Sequence, residues 1–96
     1  MAQLKVTKSG PPVFAWSIER RGKHKTAADL EFNSKGVARM DLSEGLWALG
    51  WAIEGTPGQT FSYEVTLDDE DVESQEDAPI GETGKEAGAI AIKVLP

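Results

Sequence analysis

Six consecutive residues, Arg20-Arg21-Gly22-Lys23-His24-Lys25, hold four fixed cations and one imidazole. Cations packed this closely attract anions: phosphate, an anionic polysaccharide or acidic lipid headgroups. The plainer reading is a loop tip kept in water by its charge. Nucleic acid is disfavoured, because the chain is acidic overall and no Phe, Tyr or Trp interleaves the cluster to stack on bases. His24 is the one histidine of the chain. Its cationic neighbours oppose a second positive charge on the ring, and Asp29, five residues on, is the acid that could orient it.

Trp47 and Trp51 are four residues apart. On a strand they share one face with Leu49 and Ile53, while Leu46, Ala48, Gly50 and Ala52 share the other. Turned inward, they and Trp16 are core anchors. Turned outward, with the small residues inward, Trp47 and Trp51 make a flat platform for the apolar faces of sugar rings. Large aromatics also sit at the centres of protein interfaces. This stretch is apolar on both faces, so it belongs mid-sheet or beneath a partner.

From Asp68 to Asp77, seven of ten residues are acidic. Asp68, Asp69, Glu70 and Asp71 are the weaker candidates for a metal site, with low-affinity Ca²⁺ as the ion. The glycine that an EF-hand needs at its sixth position is missing, and the acids come from one segment rather than several. The segment reads as an acidic mobile loop over about 68–86, since like charges at this density do not suit a central strand. No other cofactor is implied.

Catalytic signatures are lacking. No serine sits in a nucleophile elbow, and Gly81-Glu82-Thr83-Gly84 has neither the lysine nor the helix of a phosphate loop. A spatial pair of carboxylates would suit a small hydrolase, but a chain with short turns has little loop from which to build a cleft. We therefore expect no enzyme. The expected role is a non-catalytic binding or assembly domain that contacts another protein or a second copy of itself. A module for carbohydrate or an anionic polymer is the alternative, and a small hydrolase the second.

The elements that must position these residues are strands. Phe14, Trp16 and Ile18 alternate with Ala15, Ser17 and Glu19; Phe61, Tyr63, Val65 and Leu67 alternate with Ser62, Glu64 and Thr66; Ile90, Ile92 and Val94 alternate with small or charged residues. Period two lays each apolar set on one strand face, whereas a helix would scatter it. Turn chemistry separates the runs. Ser9-Gly10-Pro11-Pro12 ends the first, Asn33-Ser34-Lys35-Gly36 and Thr56-Pro57-Gly58-Gln59 suit tight turns, and Ser43-Glu44-Gly45 suits another.

Strands are expected near 3–7, 12–20, 27–33, 36–42, 45–54, 59–68 and 87–95, with the second to sixth joined as a meander or hairpins. Thr26-Ala27-Ala28-Asp29 resembles a capping box with room for a helical turn or two. The fold class is all-β: a single antiparallel β-sandwich of about seven strands over residues 1–96, with a small barrel as alternative. The stretch from Gly45 to Gly58 resembles a pair of core strands in immunoglobulin-like sandwiches. That likeness implies architecture only.

The 96 residues include no cysteine, so no disulfide or thiolate site supports the core. The absence of cysteine and of an apolar leader after the alternating Met1-Ala2-Gln3-Leu4-Lys5-Val6 leans toward the cytoplasm. No run approaches a membrane span. The net charge of -6 is uneven. Residues 1–40 hold eight Lys and Arg against three acids, and residues 41–96 hold thirteen acids against two lysines. Such polarity serves a partner, or basic and acidic strands within the domain.

Overall fold

Each alternating run forms a strand whose apolar set points inward. A computed structural model describes residues 1–22 and 26–96. The strands are β1 (Ala2–Ser9), β2 (Val13–Arg20), β3 (Thr26–Asp29), β4 (Val37–Leu42), β5 (Gly45–Glu54), β6 (Thr60–Leu67), β7 (Glu70–Pro79) and β8 (Lys85–Val94). They form two antiparallel four-stranded sheets, β4-β1-β6-β7 (sheet I) and β3-β2-β5-β8 (sheet II), packed as a β-sandwich. Leu4 and Val6 face Phe14, Trp16 and Ile18 across the core, with Trp47, Leu49, Trp51, Ile53, Phe61, Tyr63, Val65, Ile90, Ile92 and Val94.

The architecture is the expected one, with three corrections. First, the acidic stretch is not the loop expected over 68–86. Residues 70–79 are an eighth strand, paired to β6 at the edge of sheet I. Asp68 and Asp69 both take positive φ, 50° and 66°, and form a two-residue turn with Leu67 opposite Glu70. Aspartate tolerates this conformation better than most residues. Asp68 is also tied down, since its Oδ1 accepts from the Gln3 amide at 2.8 Å and its own amide donates to the Gln3 carbonyl. An edge strand bathed in water on one side can carry many carboxylates. On β6, Glu64 faces Ser74, while Glu70, Asp71 and Glu73 face Leu67, Thr66 and Val65, so no two acids stand directly opposite.

Second, Thr26–Asp29 is a strand rather than a helical turn, because it pairs with Arg20–Ser17 of β2. The strand expected over 27–33 is confined to these four residues, and Leu30 and Phe32 beyond it pack on the core edge. Third, among the described residues only β2–β3 and β6–β7 pair as consecutive strands of one sheet. The other consecutive strands change sheets through short arches. The expected turns do form: Gly36 and Gly58 have φ of 76° and 92°, and Asn33 Oδ1 accepts from the amides of Lys35 and Val37. Apolar phase alone does not distinguish an arch from a hairpin, since inward residues point to the core in both.

The centre of the sandwich is aromatic. Phe14, Trp16, Trp51, Phe61 and Tyr63 lie with neighbouring ring centroids 5.1–6.2 Å apart, mostly tilted or edge-on. Trp51 needs a vacancy on β8, and Gly88, its register partner, supplies it. A Cβ on Gly88 would sit 2.6 Å from Cε2 and Nε1 of the indole. Gly88→Ala should therefore cost about 1–3 kcal/mol through overpacking. Gly50→Ala, whose new carbon would meet nothing nearer than Ser17 Oγ at 3.6 Å, should cost far less. Urea denaturation of the two variants checks the difference.

Candidate functional site

The tryptophans do not form a platform. Trp47 and Trp51 are 6% and 9% exposed and point into the core, as does Trp16. The reason is their phase on β5. Leu49 and Ile53 must be inward to close the sandwich, and the tryptophans share their parity. Trp47 Nε1 donates to the Ser43 carbonyl at 2.9 Å, which anchors the β4–β5 arch. The sugar-stacking surface is thereby removed.

Of the basic cluster, Lys23, His24 and Lys25 lie outside the described residues. Arg20 is committed elsewhere: its guanidinium donates to the Glu44 carbonyl at 2.9 Å and lies 5.9 Å from the Trp47 ring centroid. Arg21 is exposed, with its amide bonded to the Leu46 carbonyl. Arg20 sits opposite Trp47, close to the Gly45–Val94 pair, and Val94 shares a surface hollow with Leu67 and Asp68. Arg20 and the Asp68-Asp69 turn thus occupy the same end of the sandwich, on opposite flanks.

Asp68, Asp69, Glu70 and Asp71 form the turn and the first residues of β7. Among the described residues no group of three His, Asp or Glu side chains is gathered closely enough to hold a metal ion.

What the fold does gather is a surface on sheet II. With the large residues of β2, β5 and β8 inward, their outward partners form rows across the sheet. Ala15, Ala52 and Ala87 make one row; Ser17, Gly50 and Ala89 the next; Ala48 and Ala91 continue the plate beside Glu19. Val13 and Leu46, each 56% exposed, stand beyond its two ends. A hollow of about 410 Å³ opens at the Val13 end, floored by Ala15, Ala52 and Ala87 and walled by Glu54 and Lys85. Sheet I turns outward Lys5, Thr7, Arg39, Asp41, Ser62 and Glu64, a solvated polar face. The plate ends at the free edge of β8. Its residues Ala87-Gly88-Ala89-Ile90-Ala91-Ile92 carry no charge, and their pairing to β5 is unbroken from Lys85 to Val94.

Lys8 and the Tyr63 hydroxyl carry polar groups onto the inward side of sheet I. Lys8 follows Ala2, Leu4 and Val6 in the inward phase of β1, and that parity is the signal. Its Nζ donates to the Phe14 carbonyl at 2.6 Å and stands 4.3 Å from the Phe32 ring centroid. Burial holds its pKa below the ordinary lysine value of 10.5. The Tyr63 hydroxyl donates to Glu73 Oε2 at 3.3 Å, and its ring packs on Trp51 of sheet II with centroids 5.4 Å apart. Burial, and then the Glu73 carboxylate, raise the Tyr63 pKa above the ordinary 10.0, against the opposing effect of Trp51.

In alkali the unfolded chain gives up the Tyr63 proton before the folded one does. The stabilisation from Tyr63 is therefore full below about pH 10 and declines as pH rises through the raised pKa. Lys8, with its lowered pKa, acts in the opposite sense in the same range. Tyr63→Phe should accordingly flatten the alkaline fall in melting temperature relative to the parent chain, as read from thermal melts between pH 8 and pH 11. Comparison with protein-family models, with curated proteins and with solved structures finds no match to this chain.

Proposed function

We propose that this chain is a non-catalytic binding domain that receives an extended segment of a partner protein along the edge of β8. The observation that supports this reading is the contrast among its four sheet edges. An unpaired edge is a template for another strand, and proteins normally blunt it with short length, charge, proline or bulges.

Three of the edges are blunted. β3 has four residues. β4 has six and carries Arg39 and Asp41. β7 carries five acids, ends at Pro79 and has two irregularities, between Phe61 and Tyr63 and between Val65 and Thr66 of its partner β6. Asp77 takes a φ of 51° at the first of these. β8 has none of these devices. Its ten residues run straight, with charge only near its ends, at Lys85, Glu86 and Lys93.

Strand addition to such an edge draws affinity from main-chain hydrogen bonds and selectivity from alternate side chains. The small-residue plate beside β8 would let the added strand and its flanks lie close to sheet II. A neutral ten-residue peptide of alternating Thr and Val, titrated into the ¹⁵N-labelled chain, should shift the amide signals of Gly88 to Ile92 and leave those of β3, β4 and β7 in place. A response spread evenly over all four edges, or none at all, refutes strand addition at β8.

A further inference from the structure

The chemistry of the incoming segment can be read from what lies beside the β8 edge, on the reading that a strand is added there. β7 and β8 are the outer strands of their sheets on the same flank. They are joined by residues 80–84, and a hollow at their common end is lined by Glu70 from one and Lys93 and Val94 from the other. Packed sheets stand about 10 Å apart. A strand added to β8 therefore projects alternate side chains into the space beside β7.

That space is anionic. Glu70 and Glu73 are the register partners of Leu67 and Val65, whose side chains pack on or in the core. The two glutamates thus lie on the side of β7 that faces sheet II, and both are exposed. Glu73 is held there by the Tyr63 hydroxyl. Glu86 of β8 shares the inward phase of Ile90 and Ile92, and its Oε1 accepts from the Gly81 amide at 2.9 Å. On the opposite, outward face the charged residues of β8 are Lys85 and Lys93, flanking the alanines.

We infer that the partner segment is two-faced: Lys or Arg at alternate positions, turned toward Glu70 and Glu73, and small neutral residues between them, continuing the alanine plate. A second copy pairing β8 to β8 fits this flank poorly. It would bring two acidic β7 edges together, and a dyad at Ala89 would set Lys85 opposite Lys93 twice, which is unfavourable. An acidic segment is opposed by the same glutamates. The free edge is the site, and the carboxylates select what enters it.

Exposed ion pairs contribute little individually, so two of them imply a modest preference. A ten-residue peptide alternating Thr and Lys should bind about threefold to thirtyfold more tightly than one alternating Thr and Ser, by the same amide shifts on β8. A peptide alternating Thr and Glu should bind more weakly than either. The basic peptide's advantage should shrink in 1 M salt, where screening acts over about 3 Å. It should also shrink in the double variant Glu70→Gln/Glu73→Gln, whose binding of the Thr-Ser peptide stays unchanged. If all three peptides shift β8 equally, the basic-partner inference is overturned while strand addition stands. If none does, strand addition itself is overturned. If light scattering finds the chain dimeric at low salt with β8 amides protected, the occupant is a second copy and the inference fails.

Discussion

Trp51 can lie flat in the sandwich only because Gly88 has no side chain. This packing constraint organises much of the rest. The indole contacts Phe14, Trp16, Phe61 and Tyr63, so it joins aromatic residues of both sheets. Tyr63, packed against it, donates to Glu73 of the acidic edge. On the other side the indole requires glycine at position 88 of β8, while Ile90 and Ile92 continue that strand's inward face. The alanines at 87, 89 and 91 lie on the outward face, which the indole does not reach.

Charge is distributed around this core rather than through it. The basic excess of residues 1–40 is spread over β1, β4 and the β2–β3 tip, and the acidic excess is concentrated along β7. Arg20 spends its guanidinium on the Glu44 carbonyl and on the face of Trp47. The acidic residues form a line rather than a cluster, because bulges and strand pairing space them along the edge. A line of carboxylates has no cage for an ion, but it gives one flank of the sandwich a sign. On the proposed reading, that sign would discriminate among strands approaching β8 without contributing to the backbone bonds they make.

The sandwich was legible because period-two alternation in Phe14–Ile18, Phe61–Leu67 and Ile90–Val94 admits no helical phasing. Turn residues located Gly36 and Gly58 correctly for the same local reason. The eighth strand was hidden because a run of seven acids in ten residues resembles a solvated loop. Its legible clue was Asp68-Asp69, a pair able to hold positive φ in a two-residue turn. The orientation of Trp47 and Trp51 was open from β5 alone, since both its faces are apolar. Leu49 and Ile53 on the same parity fixed it once β2 and β8 supplied inward neighbours. The edge of β8 could not be recognised from the sequence, because which strand lies outermost is a property of sheet order. Five sheet-crossing arches, not composition, placed it there.

The small outward residues of sheet II have two readings, and the edge bears on the proposed one. If the plate were simply a tolerant solvated surface, polar residues would serve it equally well, as they do on sheet I. Instead the uncharged residues run on to the boundary strand and stop at Glu86 and Lys93, near the ends of its pairing with β5. Solubility alone would favour a charge in the middle of that strand, as β4 and β7 carry. A central charge costs little on an exposed edge, yet it would stand in the path of an incoming strand. Its absence over six residues, on the long and regular edge among the described strands, is the observation on which the proposed receiving role of β8 rests.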